Sequence, residues 1–297
     1  MHLISASRRT DIPAFYADWF LERTRAGRAS WINPFSGQMA TASLDPRDVA
    51  AIVFWTRNFA PMMRHLQELE RRGYRTLVHF TLTNLPRIYE THVPAASAAV
   101  SQFRKLSDRI GPDRVLWRYD PILISPETGP DFHLRAFESI ASALEGATRQ
   151  CSISFVQVYG KVRRNFAKRG LPPPAPGLDL RRDLAARLGA IGASRGISVK
   201  ACCSDDLLGP GVEKARCVSR DQVAGLWPGL DFTAAPAPTR KECGCSRSHD
   251  VGAYDTCLHG CIYCYATRDR ERARVLHGVH DPRSETLIPA PEPAPVR

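Results

Sequence analysis

The stretch Ala51-Ile-Val-Phe-Trp-Thr56 is an apolar run that stops at the polar pair Arg57-Asn58. A short run rich in aliphatic and aromatic residues is typical of a strand buried on both faces of a sheet. Five other runs share this character, which gives six predicted strands: Leu3–Ser7, Ala51–Thr56, Thr76–Thr81, Val115–Tyr119, Cys151–Val158 and Ile197–Ala201.

Amphipathic stretches follow these strands, several with Pro in the first turn and Gly just past the end. They predict helices over Pro13–Ala26, Pro61–Arg72, Pro94–Ile110, Phe132–Leu144, Leu180–Ser194 and Asp221–Leu226. Alternation of strands and helices predicts an α/β fold with a parallel sheet. A (β/α)6 partial barrel fits the number of predicted strands and helices. An open doubly wound sheet is the alternative, although no G-x-G-x-x-G follows an early strand.

Four segments do not follow this alternation: a hairpin, a loop, a Cys-rich segment and a Pro-rich tail. Ser30–Leu44 reads as a β-hairpin that turns at Ser36-Gly37, and residues 168–178 form a Pro-rich surface loop. We therefore predict three parts: the partial barrel over residues 1–235, a Cys-rich cluster-binding segment over 236–279 packed on the barrel mouth, and a Pro-rich disordered tail over 280–297.

The predicted strands almost all end in polar residues. These ends are Ser7–Asp11, Trp55–Asn58, Thr81–Asn84, Arg118–Pro121, Gln157–Tyr159 and Cys202–Asp205. Reactive groups of α/β barrels lie at the carboxyl ends of the strands and in the loops that follow. Strand ends are also polar simply because they leave the core, but that explanation accounts for one or two ends better than for six.

Composition narrows the class of protein. The 297 residues include nine Cys, and eight of these lie after residue 200. No run of apolar residues is long enough for a membrane span, and no signal peptide pattern opens the chain. These features predict a cytoplasmic protein whose cysteines are metal ligands or reactive thiols, not disulfides.

The net charge of +11 admits a nucleic-acid partner. Only six of the 41 basic residues are Lys, however, and the Arg residues are spread along the chain. A bias in genomic base composition explains such a diffuse excess equally well.

The C-x3-C-x2-C run Cys257-Leu-His-Gly-Cys261-Ile-Tyr-Cys264 is the strongest chemical motif. Thiolates are the usual ligands of iron–sulfur clusters. Three of them hold three corners of a [4Fe–4S] cube and leave one iron open to a small molecule. A zinc site or a fully ligated cluster would need a fourth donor.

This motif resembles that of the radical S-adenosylmethionine (SAM) superfamily. The resemblance implies a partial-barrel core, a [4Fe–4S] cluster whose open iron chelates SAM, and cleavage of SAM to a 5′-deoxyadenosyl radical. It also implies an electron donor such as flavodoxin or ferredoxin. The superfamily carries the motif near the N-terminus, after the first strand, so its late position here resembles a circular permutation.

Candidate SAM contacts lie at the strand ends. Arg118-Tyr119-Asp120-Pro121 resembles an R-x-D-P sequence of several radical SAM enzymes, including spore photoproduct lyase, in which the Arg helps to position SAM or the cluster environment. An Arg–Asp pair that holds a loop is the alternative. A guanidinium binds a carboxylate bidentately, and further candidates for the carboxylate, the ribose and the adenine are Arg8, Arg9, Asp11, Arg57, Asp120 and Tyr265. We expect His259, between the first two cysteines, to be exposed.

A second group of cysteines lies upstream of the motif: Cys202, Cys203, Cys217, Cys243 and Cys245. Cys243-Gly244-Cys245 with Cys217 and Cys203, or Cys202 in its place, supplies four thiolates. That set suits an auxiliary [4Fe–4S] cluster first and zinc second, with free buried thiols as the remaining alternative. Cys151 lies within a predicted strand and is expected in the core.

Two sequence patterns resemble an uncharacterised domain family: S-x-S-R-R-T-D-I-P at Ser5–Pro13, and the Cys-rich pattern at Cys243–Ala266. That resemblance spans nearly the full length but implies no reaction. Our leading hypothesis is a radical SAM-type enzyme acting on a small molecule, a peptide or a nucleic acid. The alternatives are an iron–sulfur electron carrier or sensor without SAM chemistry, and a zinc-stabilised nucleic-acid-binding protein.

Overall fold

A computed structural model describes residues 1–288, which form a mixed α/β fold around an eight-stranded parallel sheet. The ten strands of the described residues are β1 (His2–Ala6), β2 (Arg28–Ile32), β3 (Met39–Ser43), β4 (Val49–Thr56), β5 (Thr76–Thr81), β6 (Val115–Ile122), β7 (Gln150–Phe155), β8 (Ser198–Ala201), β9 (Val212–Lys214) and β10 (His249–Asp250).

The α-helices of this part of the chain are α1 (Ile12–Phe15), α2 (Ala17–Arg25), α3 (Ala60–Met63), α4 (Leu66–Arg71), α5 (Ala96–Ile110), α6 (Pro130–Ala143), α7 (Gly160–Ala167), α8 (Leu178–Ser194), α9 (Arg220–Leu226) and α10 (Arg270–Gly278). A short 3-10 helix covers Asp205–Leu207.

The main sheet has the order β10-β1-β4-β5-β6-β7-β8-β9, and every pair in it is parallel. The predicted α/β class is therefore confirmed, and all six predicted strands are present. Every residue of β4 is buried, because side chains cover both faces of the sheet. Among the described strands none joins β9 to β10, so the sheet is open at both ends of its order.

Two predicted helices are each divided in two. The helix predicted over Pro13–Ala26 is broken at Tyr16, whose backbone (φ −137°, ψ 29°) is not helical and whose hydroxyl donates to the carbonyl of Thr256 at 2.8 Å. The helix predicted over Pro61–Arg72 is likewise interrupted between Met63 and Leu66. The amphipathic pattern continues across both breaks, which is why it did not reveal them.

The predicted hairpin is confirmed as a separate antiparallel pair, in which Trp31 lies opposite Ala40. Its turn depends on Gly37, which has a positive φ of 70° and donates its N–H to the carbonyl of Asn33.

The two faces of the sheet are buried by different apolar clusters. Helices cover one face, where Trp19, Phe54 and Phe103 belong to the main core. On the other face, a second cluster joins Leu3 of β1 and Leu116 of β6 to residues that follow β8 and β9. This second cluster includes three cysteines, Cys202, Cys217 and Cys245.

Part of the stretch predicted as a tail packs against the body of the protein. The indole of Trp19 donates to the carbonyl of Ser284 at 3.0 Å, and Leu287 is buried. The rest of that stretch, residues 289–297, lies outside the described residues. Within residues 1–288 no helix combines the length and apolar character that crossing a membrane requires.

Candidate functional site

The C-x3-C-x2-C loop follows β10 and lies at the carboxyl ends of the neighbouring strands. Its backbone pairs with the segment after β5: Ile262 donates to the carbonyl of Tyr89 at 3.0 Å, and His92 donates to that of His259 at 2.9 Å. Glu90 and Cys261 face each other across this pairing. The backbone of the loop is therefore held on the sheet independently of its thiols.

The three thiols of this loop share one cleft. Eight residues line it: Asn165, Cys257, Gly260, Cys261, Cys264, Thr267, Arg268 and Arg270. The Cys264 Sγ accepts hydrogen bonds from the amides of Ala266 and Thr267, both at 3.3 Å. Amide donors stabilise the thiolate form and are a usual feature of iron–sulfur ligands.

The cleft makes free thiolates costly. Burial raises the pKa of Cys261 to about 12, with the nearby Glu90 and Cys264 acting in the same direction. Burial raises the pKa of Cys257 well above its ordinary value, and the charges of Cys264, Asp11 and Cys261 add to the effect. Binding of a metal here must therefore displace protons.

A buried ion pair lies behind the loop. Arg57, at the end of β4, binds the Glu90 carboxylate at 2.9 Å and donates to the Tyr263 hydroxyl at 2.6 Å. Tyr263 in turn donates to Glu90, as does Thr83 at 2.8 Å. The exposed fractions of Arg57 and Glu90 are 8% and 4%. Arg57, a candidate SAM contact, is thus already paired, and Glu90 was not identified from the sequence.

His259 is buried, so the expectation that it is exposed was wrong. Its Nε2 donates to the Asp11 carboxylate at 2.7 Å. Asp11 also accepts from the backbone N–H of Arg57 at 2.7 Å and of Ala14 at 3.0 Å. These bonds satisfy the carboxylate of Asp11, which joins the end of β1 to both β4 and the cysteine loop.

Asp250 of β10 holds the end of β1 in the same way. It accepts from Ser5 Oγ at 3.0 Å, from the backbone N–H of Arg8 at 2.8 Å, from Arg9 Nε at 3.1 Å and from Ser7. Arg9, another candidate SAM contact, is engaged by this carboxylate and is 8% exposed. Asp250 was not among the candidate site residues, although the pattern containing it was noted.

Arg8 and Arg118 both lie close to the ring of Trp55. Their guanidinium carbons lie 5.3 Å and 4.9 Å from the ring centre of Trp55. Arg118 pairs with Asp120, which also accepts from Ser154. Within residues 1–288, however, Arg8 Nη2 and Arg118 Nε are buried nitrogens that have no hydrogen-bond partner. Guanidinium N–H groups of this kind are donors that suit a carboxylate.

Tyr265 lies at the edge of the site, next to Arg8. Its hydroxyl donates to the carbonyl of Arg8 at 2.6 Å, and its own carbonyl accepts from Lys161 at 3.2 Å. The residue keeps 48% of its surface exposed. The ring therefore lies at the rim, between the cysteine loop and the paired arginines.

A basic cleft of about 310 Å³ adjoins the cysteine cleft. Its lining residues are Lys161, Arg164, Asn165, Lys168, Arg268 and Asp269. Asn165 and Arg268 line both clefts. The surface next to the cysteines is therefore strongly positive.

The second group of cysteines comes together on the sheet face opposite the main helix layer. Cys202 Sγ lies 3.5 Å from Cys217 Sγ and 3.9 Å from Cys203 Sγ. Hydrogen bonds from Cys203 and Cys217 lower the pKa of Cys202. The thiol of Cys217 also hydrogen-bonds to that of Cys245 and lowers the pKa of Cys245 to about 5. Cys151, by contrast, is fully buried in β7, as expected.

Over residues 1–288, no three His, Cys, Asp or Glu side chains already converge as ligands of a single metal ion. The thiolates of a [4Fe–4S] cluster each bind a different iron. The donor chemistry of the first cysteine cleft, three sulfurs with amide donors and nearby guanidinium groups, fits such a cluster.

Residues 3–266 match the profile of a domain of unknown function, DUF1848. No curated protein shows a significant match. One similar solved structure, from Bacteroides thetaiotaomicron, is assigned as a phosphomethylpyrimidine kinase. It is 11% identical, with a TM-score of 0.25 over 67% of this chain and 59% of that one. This chain thus spans less than two thirds of that structure, and so distant a likeness carries no functional argument.

Proposed function

Because this chain belongs to the DUF1848 family, which has no assigned reaction, we propose a function from its own site: a radical SAM-type enzyme. Cys257, Cys261 and Cys264 bind a [4Fe–4S] cluster whose fourth iron is left for SAM. When bound and reduced, the cluster supplies the electron that cleaves SAM and starts radical chemistry on a substrate.

The observation that carries this proposal is the composition of the cysteine cleft. Three of its eight lining residues are cysteines from one loop, and the other five are not usual iron ligands. Three protein ligands leave an iron open, whereas a cluster that only carries electrons is normally held by four.

The position of the cysteine loop supports a circular permutation relative to the radical SAM superfamily. The loop follows β10, which lies at the edge of the sheet and pairs in parallel with β1, so that Ser5 lies beside Asp250. In the radical SAM superfamily the motif follows the first strand of a partial barrel. We take β10 as the counterpart of that strand, supplied from the far end of the sequence, and the sheet as a partial barrel.

Two arginines are best placed to hold SAM. Arg8 and Arg118 each have a buried nitrogen near Trp55 that finds no partner among residues 1–288, and both suit the carboxylate of the methionine part. Tyr265, at the rim, suits the adenine. Arg9, Asp11, Arg57 and Asp120 are all paired within the protein, and we assign them to positioning the loop and the two arginines.

The basic cleft suits the electron donor. An acidic one-electron carrier such as flavodoxin or ferredoxin would be attracted to Arg164, Lys168 and Arg268, next to the cysteines that hold the cluster. We place the reaction in the cytoplasm, where thiols stay reduced. The substrate is a small molecule, a peptide or a nucleic acid, and the site favours none of these classes.

Anaerobic purification followed by iron and sulfide analysis tests the proposal. We expect at least four irons per chain, an EPR signal that SAM perturbs, and 5′-deoxyadenosine after reduction with dithionite. Cys261→Ala should abolish both SAM effects, whereas Cys151→Ala, at a core cysteine of β7, should preserve them. An iron signal that SAM leaves unchanged would identify an electron carrier or sensor. Zinc without iron would identify a zinc-stabilised protein.

A further inference from the structure

The second cysteine group lies between the two open edges of the sheet. Cys202 directly follows β8, Cys217 follows β9, and Cys243 and Cys245 precede β10. Because β9 and β10 occupy opposite ends of the strand order, these thiols come from both edges. The proposed radical SAM function gives them no role.

The two edges already touch through the backbone beside these thiols. Ser246 donates its N–H to the carbonyl of Val218 at 2.8 Å, and its hydroxyl accepts from the N–H of Arg220 at 3.0 Å. Cys202, Cys217 and Cys245 are 8%, 7% and 5% exposed and share one apolar cluster. Several thiols close together in an apolar cluster are a suitable setting for a thiophilic metal.

We propose that Cys202, Cys217, Cys243 and Cys245 bind one zinc ion, and that this ion joins the two open edges of the sheet. The inference does not depend on the proposed radical SAM function.

The sulfur–sulfur distance between Cys202 and Cys217 favours a single ion over a cluster. Four sulfurs about 2.3 Å from a tetrahedral zinc lie about 3.8 Å from one another. The Cys202 Sγ lies 3.5 Å from the Cys217 Sγ, which is close to that value. In a [4Fe–4S] cluster each thiolate binds a different iron, so its sulfurs lie farther apart. The geometry thus reverses the order of preference that spacing alone suggested.

Cys243 is the fourth ligand in preference to Cys203. Cys243 is separated from Cys245 only by Gly244, and a residue without a side chain lets the loop fold closely round an ion. Cys203, by contrast, comes from the same edge as Cys202, which it directly follows in the chain. The guanidinium of Arg240 donates to Cys202 Sγ at 3.9 Å. That guanidinium offsets part of the negative charge of four thiolates. Closing the tetrahedron requires the side chains of Cys243 and Cys245 to rotate towards Cys202.

Metal analysis of the anaerobically purified full chain tests this assignment. We expect one zinc per chain, retained in Cys261→Ala, whose first site is impaired. Cys202→Ser and Cys245→Ser should lose the zinc and keep the iron, and their melting temperature should fall by roughly 5–10 °C. Cys203→Ser is the matched control and should keep the zinc. Eight irons without zinc, or zinc that persists in Cys202→Ser, would overturn the proposal.

A second measurement covers variants that fail to fold. Wild-type protein is alkylated with iodoacetamide before and after a zinc chelator, and the modified peptides are identified by mass spectrometry. The four proposed ligands should become reactive only after chelation, whereas Cys203 should react at the same rate in both samples. Equal reactivity of all five thiols before chelation would also contradict the site.

Discussion

The Asp11 carboxylate and the His259 ring, 248 positions apart in the chain, are joined by a buried hydrogen bond of 2.7 Å. Asp11 belongs to the segment after β1, and His259 lies between two cysteines of the cysteine loop. The bond therefore links the two sequence patterns that characterise the chain. Because Asp11 also accepts from the backbone of Arg57, one carboxylate fixes the loop relative to two strands.

Asp11→Ala should loosen the cysteine loop. It removes a helix cap and two buried acceptors, which together should lower the free energy of unfolding by about 2–4 kcal/mol. Amide hydrogen exchange should accelerate in residues 257–264. Asp18→Ala, which removes an exposed carboxylate from the neighbouring helix α2, is the control and should change little. Equal effects of the two variants would mean that Asp11 does not position the loop.

Gly252→Ala tests the contact between β1 and the segment after β10. A methyl group at this position would lie 2.5 Å from the Cβ of Ser7 and closer still to its hydroxyl, so Ser7 or the segment must move. We expect a loss of about 1–3 kcal/mol of unfolding free energy in urea titration. Gly225→Ala in helix α9 is the matched control, because no atom of the described residues lies within 4 Å of its added carbon, and it should be slightly stabilising. A neutral Gly252→Ala would contradict the close packing.

Arg8→Ala and Arg118→Ala should each weaken SAM binding. Loss of one charge-assisted hydrogen bond to a carboxylate corresponds to roughly tenfold to hundredfold in affinity. Calorimetric titration of the reconstituted protein with SAM measures this change. Arg109→Ala, which removes an exposed guanidinium paired with Glu70, is the control. Unchanged affinity in both site variants would exclude the pair beside Trp55 as the carboxylate site.

The longer strands were the part of the fold that the sequence predicted best. The predicted bounds Thr76–Thr81 are those observed, because a strand buried on both faces carries a continuous apolar signal. Strands β9 and β10 have three and two residues, too few for any pattern. They form because β8 and β1 offer free edges. The position of β10, which brings the cysteine loop to the sheet, could therefore not be predicted.

Only the part of the site whose residues lie close together in the sequence could be predicted. The spacing of Cys257, Cys261 and Cys264 identified the loop, and the structure places the three in one cleft. Glu90 and Asp250 were missed because their partners are distant: Tyr263 lies 173 positions from Glu90, and Ser7 lies 243 from Asp250. Nothing in a single sequence pairs residues so far apart.

Reversing charge in the basic cleft should slow reduction of the cluster by a protein donor. In Arg164→Glu with Lys168→Glu, two attractive charges become repulsive, so the association rate with a reduced acidic flavodoxin should fall at least tenfold at low salt. Stopped-flow absorbance measures this rate, and reduction by dithionite should be unaffected. Lys105→Glu with Arg109→Glu, at two exposed positions of helix α5, makes the same change in net charge and is the control. A rate insensitive to the double variant would place the donor elsewhere.

His133 should make the protein less stable in acid. It is fully buried; its Nδ1 accepts from the Tyr119 hydroxyl at 2.8 Å and its Nε2 donates to the carbonyl of Leu123 at 2.9 Å. Burial lowers its pKa to about 4. Between about pH 6.5 and pH 4 the unfolded chain binds a proton that the folded protein does not. The free energy of unfolding therefore decreases by about 2–3 kcal/mol as the pH is lowered across this range.

Urea unfolding of the wild type and of His133→Gln at pH 7 and pH 4.5 measures this contribution. At pH 7 the variant should be less stable than the wild type, because Gln does not reproduce both hydrogen bonds of the imidazole ring. It should then lose about 2–3 kcal/mol less than the wild type on acidification, because it has no imidazole to protonate. His92→Gln, at an exposed histidine, should keep the wild-type dependence. Parallel pH profiles for wild type and His133→Gln would show that another buried group governs acid stability.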